Sequence, residues 1–199
     1  MPRKTNKVKS IRTVLIVVEG QTERFYFSEI NSIERIPGIT VLPKESSHSD
    51  IKHVLETALI ENETGVYDSV WCVFDRDTFL QDNAEGKLTS LLRKTESKGI
   101  SIADSMPSFE IWFLSHYKKP ASHYSNQNAV IDELLEFIPD YCKERKWLER
   151  KNLYKFLKER QGKAMENCSR LRESSSNFGN DCSFCNVDKL IMELIGHSR

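Results

Sequence analysis

The sequence predicts an α/β fold, a three-layer α/β/α core with a mostly parallel sheet, followed by a helical C-terminal region. Three observations carry that prediction. Thr13 to Val18 (TVLIVV) is apolar and β-branched with no polar alternation, so it reads as a strand buried on both faces. Tyr67 to Phe74 (YDSVWCVF) is a second strong strand, rich in β-branched and aromatic residues. Between and after them, short strands alternate with helical segments, which implies parallel pairing through right-handed crossovers.

Taken in order, Gly20 breaks the first strand, and apolar Tyr26, Phe27 and Ile30 predict a helix of about three turns with Thr22 as its cap. Ile39 to Leu42 is a short strand. Ser49 or Asp50 can cap a second helix, whose Ile51, Val54, Leu55, Ala58 and Leu59 keep a period near 3.6 until Gly65. After the second strong strand, Asn83 to Lys98 is helical with Leu88, Leu91 and Leu92 inward, and Ile100 to Ala103 is a short strand. Pro107 opens an amphipathic helix that presents Phe109, Trp112 and Phe113 to the sheet and stops before Pro120. Val130 to Phe137, Tyr141 to Arg160 and Val187 to Ile195 are helical by period, with a Ser- and Asn-rich loop from Ser174 to Phe184. The organisation expected is a basic arm over 1–12, an α/β core over 13–120 and a helical extension over 121–199 packed on that core.

The chain has 199 residues, 39% of them hydrophobic, enough for one sizeable core and too few to demand two full domains. Its longest apolar runs, Val14 to Val18 and Val70 to Phe74, fall far short of the roughly 20 residues a membrane-spanning helix needs. The basic N-terminus leads into five apolar residues and then Glu19, unlike a signal peptide, so a cytoplasmic protein is expected. Five cysteines, an odd number, argue against a secreted disulfide framework. Cys182-Ser183-Phe184-Cys185 has CxxC spacing but no second such pair, so ordinary thiols are the expectation there.

The formal net charge is zero, yet it is segregated. Residues 1–12 carry five basic groups and no acidic one, residues 141–172 carry 11 Lys or Arg against 4 Asp or Glu, and residues 13–140 hold 11 basic against 21 acidic groups. A solvated helix face is the simpler reading of charge alone. The same segregation would bring a polyanion to an acidic site, since Lys and Arg gain affinity by releasing phosphate counterions.

In an open parallel sheet, ligands bind beyond the carboxyl ends of the strands, near the switch in strand order. Glu19 follows the first strong strand; Asp75 and Asp77 follow the second. In Asp75-Arg76-Asp77, alternate residues of an extended segment point the same way, which lets both carboxylates face one cation. Hard oxygen ligands of this kind suit Mg²⁺ or Mn²⁺. Each acid alone also fits a turn or a helix cap, and the pairing of two strand-end motifs is what favours function. Arg76 would then point away, toward a phosphate or a helix carboxylate. Glu110 and His116, six residues apart on one helix, lie about 240° apart around it, so at most one faces the site. Glu110 is favoured as an extra ligand or orienting group, and His116 reads first as a helix-end histidine, with a catalytic role as the alternative. Ser105 reads as a cap or, at a strand end, as a phosphate holder.

VLIVVEGQTERFYF resembles the opening of Toprim-type domains, in which a Glu ends the first strand, and VWCVFDRDTF resembles their Asp-x-Asp segment. Together with SMPSFEIWFLSHY (105–117) and NDCSFCNVDKLIMEL (180–194), the ordered set resembles the RloB-like family over about residues 11–194, with Asp181 standing where that pattern usually has Pro. The resemblance implies a Toprim-like fold, a divalent-metal site and membership of phage-defence or restriction-associated loci. Toprim relatives include topoisomerases, primases and nucleases of the overcoming-lysogenization-defect family. By the same resemblance Glu19 matches a Glu that acts as general acid or base, Asp75 and Asp77 match the metal-binding pair, and Glu23 matches the second acid of EGxxTE. The expectation is therefore a Mg²⁺- or Mn²⁺-dependent nuclease in phage defence, with Glu19, Asp75, Asp77 and Glu110 catalytic, and with Glu23, Arg76, Ser105 and His116 facing a nucleic-acid substrate. The alternative is a non-catalytic metal- or nucleotide-binding Toprim-like module that assembles with partner defence proteins. A homo-oligomer is compatible with either.

Overall fold

A computed structural model describes residues 12–42, 50–77, 79, 86–175 and 182–196. The basic arm up to Ile11, Ser49, residues 83–85 and Asp181 lie outside the described residues.

Four parallel strands, β1 (Val14–Val18), β2 (Ile39–Leu42), β3 (Ser69–Val73) and β4 (Ser101–Ile102), form one sheet in the order β2-β1-β3-β4. Helix α1 (Gln21–Glu34) carries the chain from β1 to β2, α2 (Ile51–Glu63) carries it back across β1 to β3, and α3 (Lys87–Ser97) leads on to β4. Strand order therefore reverses between β1 and β3.

The absence of polar alternation in β1 follows from burial on both faces. Leu15 and Val17, with Val70, Cys72 and Phe74, pack against α2 and α3. Val14, Ile16 and Val18, with Trp71 and Val73, pack on the other face against α1 and the C-terminal helices. Those helices are α4 (Glu110–Ser115), α5 (Gln127–Leu134), α6 (Arg145–Lys151), α7 (Leu153–Leu157), α8 (Gln161–Ser175) and α9 (Val187–Gly196). One apolar cluster runs from β1 through α1 and α4 to α9, so residues beyond 120 share the core of the sheet.

Several boundaries differ from the sequence expectation, each for a local reason. The cap of α1 is Gly20, with no side-chain cap bond, and Thr22 is buried inside the first turn. The cap of α2 is Asp50, whose carboxylate accepts from the His53 N–H at 2.7 Å. Helix α4 begins at Glu110 instead of Pro107, because Ser105–Met106 (β5) pairs antiparallel with Phe184–Cys185 (β6). The single helix expected over 141–160 is broken at Asn152, whose φ of 52° is left-handed, and it closes in a 3₁₀ turn at Lys158–Arg160. Helix α8 lies where the sequence shows little apolar period, because its inward residues Ala164 and Cys168 are small.

Asn152 lets α7 turn back onto α1. There Glu29 accepts from the Tyr154 N–H at 2.8 Å, and the Tyr154 hydroxyl donates to Glu34 at 2.7 Å. A left-handed residue with a β-branched side chain is strained by about 1–2 kcal/mol, whereas Gly is not. Urea melts should accordingly show Asn152→Val destabilised by about that amount and Asn152→Gly within about 0.5 kcal/mol of the parent.

Candidate functional site: a buried acidic cleft at the strand-order switch

Glu19 is the first residue beyond β1, and its N–H donates to the Val73 carbonyl at 3.0 Å. Its side-chain Oε2 accepts from the Asp75 N–H, also at 3.0 Å, which ties the ends of β1 and β3 together across the switch point. Glu19, Gly20, Thr22, Glu23, Asp75 and Lys143 line an open cleft of about 310 Å³ at this edge. Glu110 lies behind it, fully buried.

Glu23 reaches the cleft because it sits in the first turn of α1, folded back over Gly20. A Cβ at Gly20 would stand 2.6 Å from Glu23 Oε2, so any other residue there would push that carboxylate from its present position. Glu23 is 4% exposed, and its Oε2 has no hydrogen-bond partner; nor has the buried Oδ1 of Asp75. Glu110, by contrast, is well held: Tyr141 donates to Oε1 at 2.6 Å, Gln127 donates to Oε2 at 3.2 Å, and Lys143 Nζ lies 3.1 Å from Oε1.

These surroundings set the protonation. Burial pushes the Glu19 carboxyl up to about 7, opposed by the Asp75 N–H and assisted by the charges of Glu23 and Asp77. Burial likewise raises Glu23 to about 7, and it lifts Asp75 well above the carboxylate range, with Glu23, Glu110 and Glu19 adding repulsion. Burial would raise Glu110 too, but Lys143 and the Tyr141 hydroxyl outweigh it and hold the group below its ordinary value. Burial would lower Lys143, and Glu110 and Glu23 overcome that to raise it.

The structure thus brings together Glu19, Glu23, Asp75 and Glu110, and leaves the other predicted residues elsewhere. Asp77 is exposed and is not among the residues lining the cleft. The chain turns after Asp75, with the Phe79 N–H donating to the Arg76 carbonyl at 3.2 Å, and the Asp77 charge still acts on Glu19. Arg76 pairs with Asp104 at 2.6 Å and covers the Phe79 ring. Ser105 is buried in the sheet, its hydroxyl toward Cys185 Sγ at 3.8 Å, and it does not cap α4. His116 is buried with Nδ1 2.8 Å from the Trp112 carbonyl and its ring edge-on to Trp112; burial lowers it to about 4. Lys143, Tyr141 and Gln127 were not foreseen. The only sequence signal for Lys143 was its place at the start of the basic segment.

Among the described residues, no group of three or more His, Cys, Asp or Glu side chains is placed to hold a metal ion as the side chains stand. The donor chemistry nonetheless fits a hard divalent cation. Two buried carboxylate oxygens lack partners, and the cluster carries more carboxylates than its single ammonium can balance. No described helix is long and apolar enough to cross a membrane.

The family model described as RloB-like protein matches residues 14–194. No curated protein and no solved structure matches the chain.

Because Glu19 keeps its proton to higher pH in the folded than in the unfolded chain, the native state binds more protons between about pH 4.5 and 7, and stability falls as pH rises through that window. In EDTA, Glu19→Gln should lessen the fall in unfolding free energy between pH 5 and 8 by on the order of 2 kcal/mol. A slope unchanged from the parent would assign the loss to other groups.

Proposed function

As the chain belongs to the RloB-like protein family, we propose that it is a Toprim-like, divalent-metal-dependent nuclease that hydrolyses nucleic-acid phosphodiesters in defence against phage. The observation that carries this reading is the partnerless pair of buried carboxylate oxygens, Asp75 Oδ1 and Glu23 Oε2, beside Glu19 at the strand-order switch.

Asp75, Glu19 and Glu23 would hold the Mg²⁺ or Mn²⁺, with Asp77 at the exposed rim beside them. When bound, the ion supplies charge stabilisation at the pentavalent phosphorus and activates water. The chain's own groups do the rest. Glu19, whose carboxyl burial raises to about 7 in the metal-free cleft, stands at the strand end where the family resemblance puts a general acid or base. The Asp75 N–H fixes the Glu19 carboxylate at the end of β1, so the proton-transfer group is preorganised. Glu110 acts through Lys143 and Tyr141 from behind the cleft, as a positioning residue. The basic residues of α6 to α8, among them the exposed Lys146, Arg150, Lys155 and Lys163, give the phosphate backbone a track that needs no base-specific contact. His116 and Ser105, turned away from the cleft, have no part in this chemistry.

The test is to incubate wild-type and Asp75→Asn protein with labelled plasmid, single-stranded DNA and total tRNA, each with Mg²⁺, Mn²⁺ or EDTA. Cleavage by the wild type should require metal and fall on the order of 100-fold or more in the variant. The variant's melting temperature should be equal or higher, since an amide replaces a buried carboxyl that lacks a partner. Survival of every substrate while calorimetry shows metal binding would replace this reading with that of a non-catalytic module acting through partner proteins.

A further inference from the structure

Among the described residues lining the acidic cleft, Lys143 is the one cation, and it comes from an irregular segment between α5 and α6. Among the described residues its Nζ pairs with Glu110, at 3.1 Å, and the charges of Glu23 and Asp75 also act on it. The side chain is 40% exposed while that of Glu110 is fully buried, so the ammonium sits at the inner end of a stem that runs along the cleft from solvent. Glu110 is not held by it alone, since Tyr141 and Gln127 donate to both of its oxygens. Asp75 Oδ1 and Glu23 Oε2, the atoms that lack partners, lie within its electrostatic reach and beyond its hydrogen-bond reach. An ammonium placed in this way balances part of the negative charge without satisfying the oxygens that carry it.

We propose that Lys143 is an internal competitor for the divalent cation: its ammonium neutralises the cluster until an ion binds, and is then displaced along the cleft toward solvent. The inference rests on the metal-binding reading above. The ammonium and an ion drawn to the same carboxylates repel each other, so each weakens the other's hold on the cluster. The long, flexible lysine stem gives the ammonium a solvated position to move to, with Glu110 still held by Tyr141 and Gln127. Lys143 therefore sets how much free cation the cleft requires, and loading the ion delivers a positive charge to the cleft mouth, where a phosphate would arrive.

Two measurements on the full chain test the proposal, with Mn²⁺ as the probe. Calorimetric titration should show Lys143→Met binding Mn²⁺ about tenfold more tightly than the wild type, and Lys143→Arg, which keeps the competing charge, within about threefold of it. In the wild type, the rate at which an amine-reactive acetylating reagent labels Lys143, read by mass spectrometry, should rise severalfold on saturation with Mn²⁺, while Lys146 and Lys155 are unaffected. The second measurement needs no variant to fold. Wild-type protein that binds Mn²⁺, with Lys143→Met binding it equally or more weakly or with Lys143 labelled no faster, would overturn the competition and leave the metal site standing. Absence of Mn²⁺ binding by the wild type and by both variants would overturn the metal reading and the competition together.

Discussion

The hydrogen bond from the Asp75 N–H to Glu19 Oε2 is the constraint on which the rest of the cleft depends. It extends the pairing of β1 with β3 beyond the strand ends, at the point where strand order reverses. By fixing Glu19 against Asp75 it forces carboxylates together in a setting that disfavours charge. Burial, more than mutual repulsion, is the leading cause of the upward shift at Glu19, Glu23 and Asp75 alike. A group whose charged form is penalised by desolvation regains stability from whatever restores its ionisation, which is the physical basis for reading the cleft as a cation site.

The strain of that arrangement is offset by the aromatic packing beneath it. Tyr26 lies one turn beyond Glu23 on α1, and its ring meets Phe27, Phe109, Phe113 and Tyr154 at centroid distances between 5.5 and 5.8 Å. Three of those contacts are edge-on, and pairs of this kind are worth about 0.5–1.5 kcal/mol each beyond their buried area. The cluster docks the start of α4 against α1, so Glu110 and Glu23 share a neighbourhood although they lie 87 positions apart in the sequence. Glycine at position 20 completes the arrangement by leaving the space that Glu23 Oε2 fills.

What the sequence revealed follows the range over which its signals act. Strands β1 and β3 and the strand-end placement of Glu19 and Asp75 were legible because a buried parallel strand is a contiguous apolar run. The opposed placement of Glu110 and His116 was legible from helical geometry alone: one meets Tyr141, Gln127 and Lys143, the other the Trp112 carbonyl. The placement of Asp77 was less legible, because the alternation rule holds only while the chain stays extended, and the chain turns at Arg76 once the Asp75 bridge to Ser105 has ended the pairing. Pairing of β5 with β6 could not be read from two-residue strands 78 positions apart, and it is what moved the start of α4 from Pro107 to Glu110.

Lys143, Tyr141 and Gln127 were invisible for a related reason. None belongs to a motif, and two come from an irregular segment that acquires meaning only when the α5 end of the chain folds over α4. Charge counting placed Lys143 in a basic stretch of 11 cations, which reads first as a solvated helix face and otherwise as a surface for a polyanion. The structure separates that stretch by depth. Lys146, Arg150, Lys155 and Lys163 stand exposed on α6 to α8, Arg172 forms a bidentate pair with Asp188 at 2.7 Å, and Lys143 alone turns inward to the carboxylates. A segregated charge pattern in a sequence therefore mixes three physical roles: solvated surface, structural ion pair and site counterion. Only the third is bound to the acidic cleft, because removing it would leave Glu23 and Asp75 with no cation near them among the cleft-lining residues.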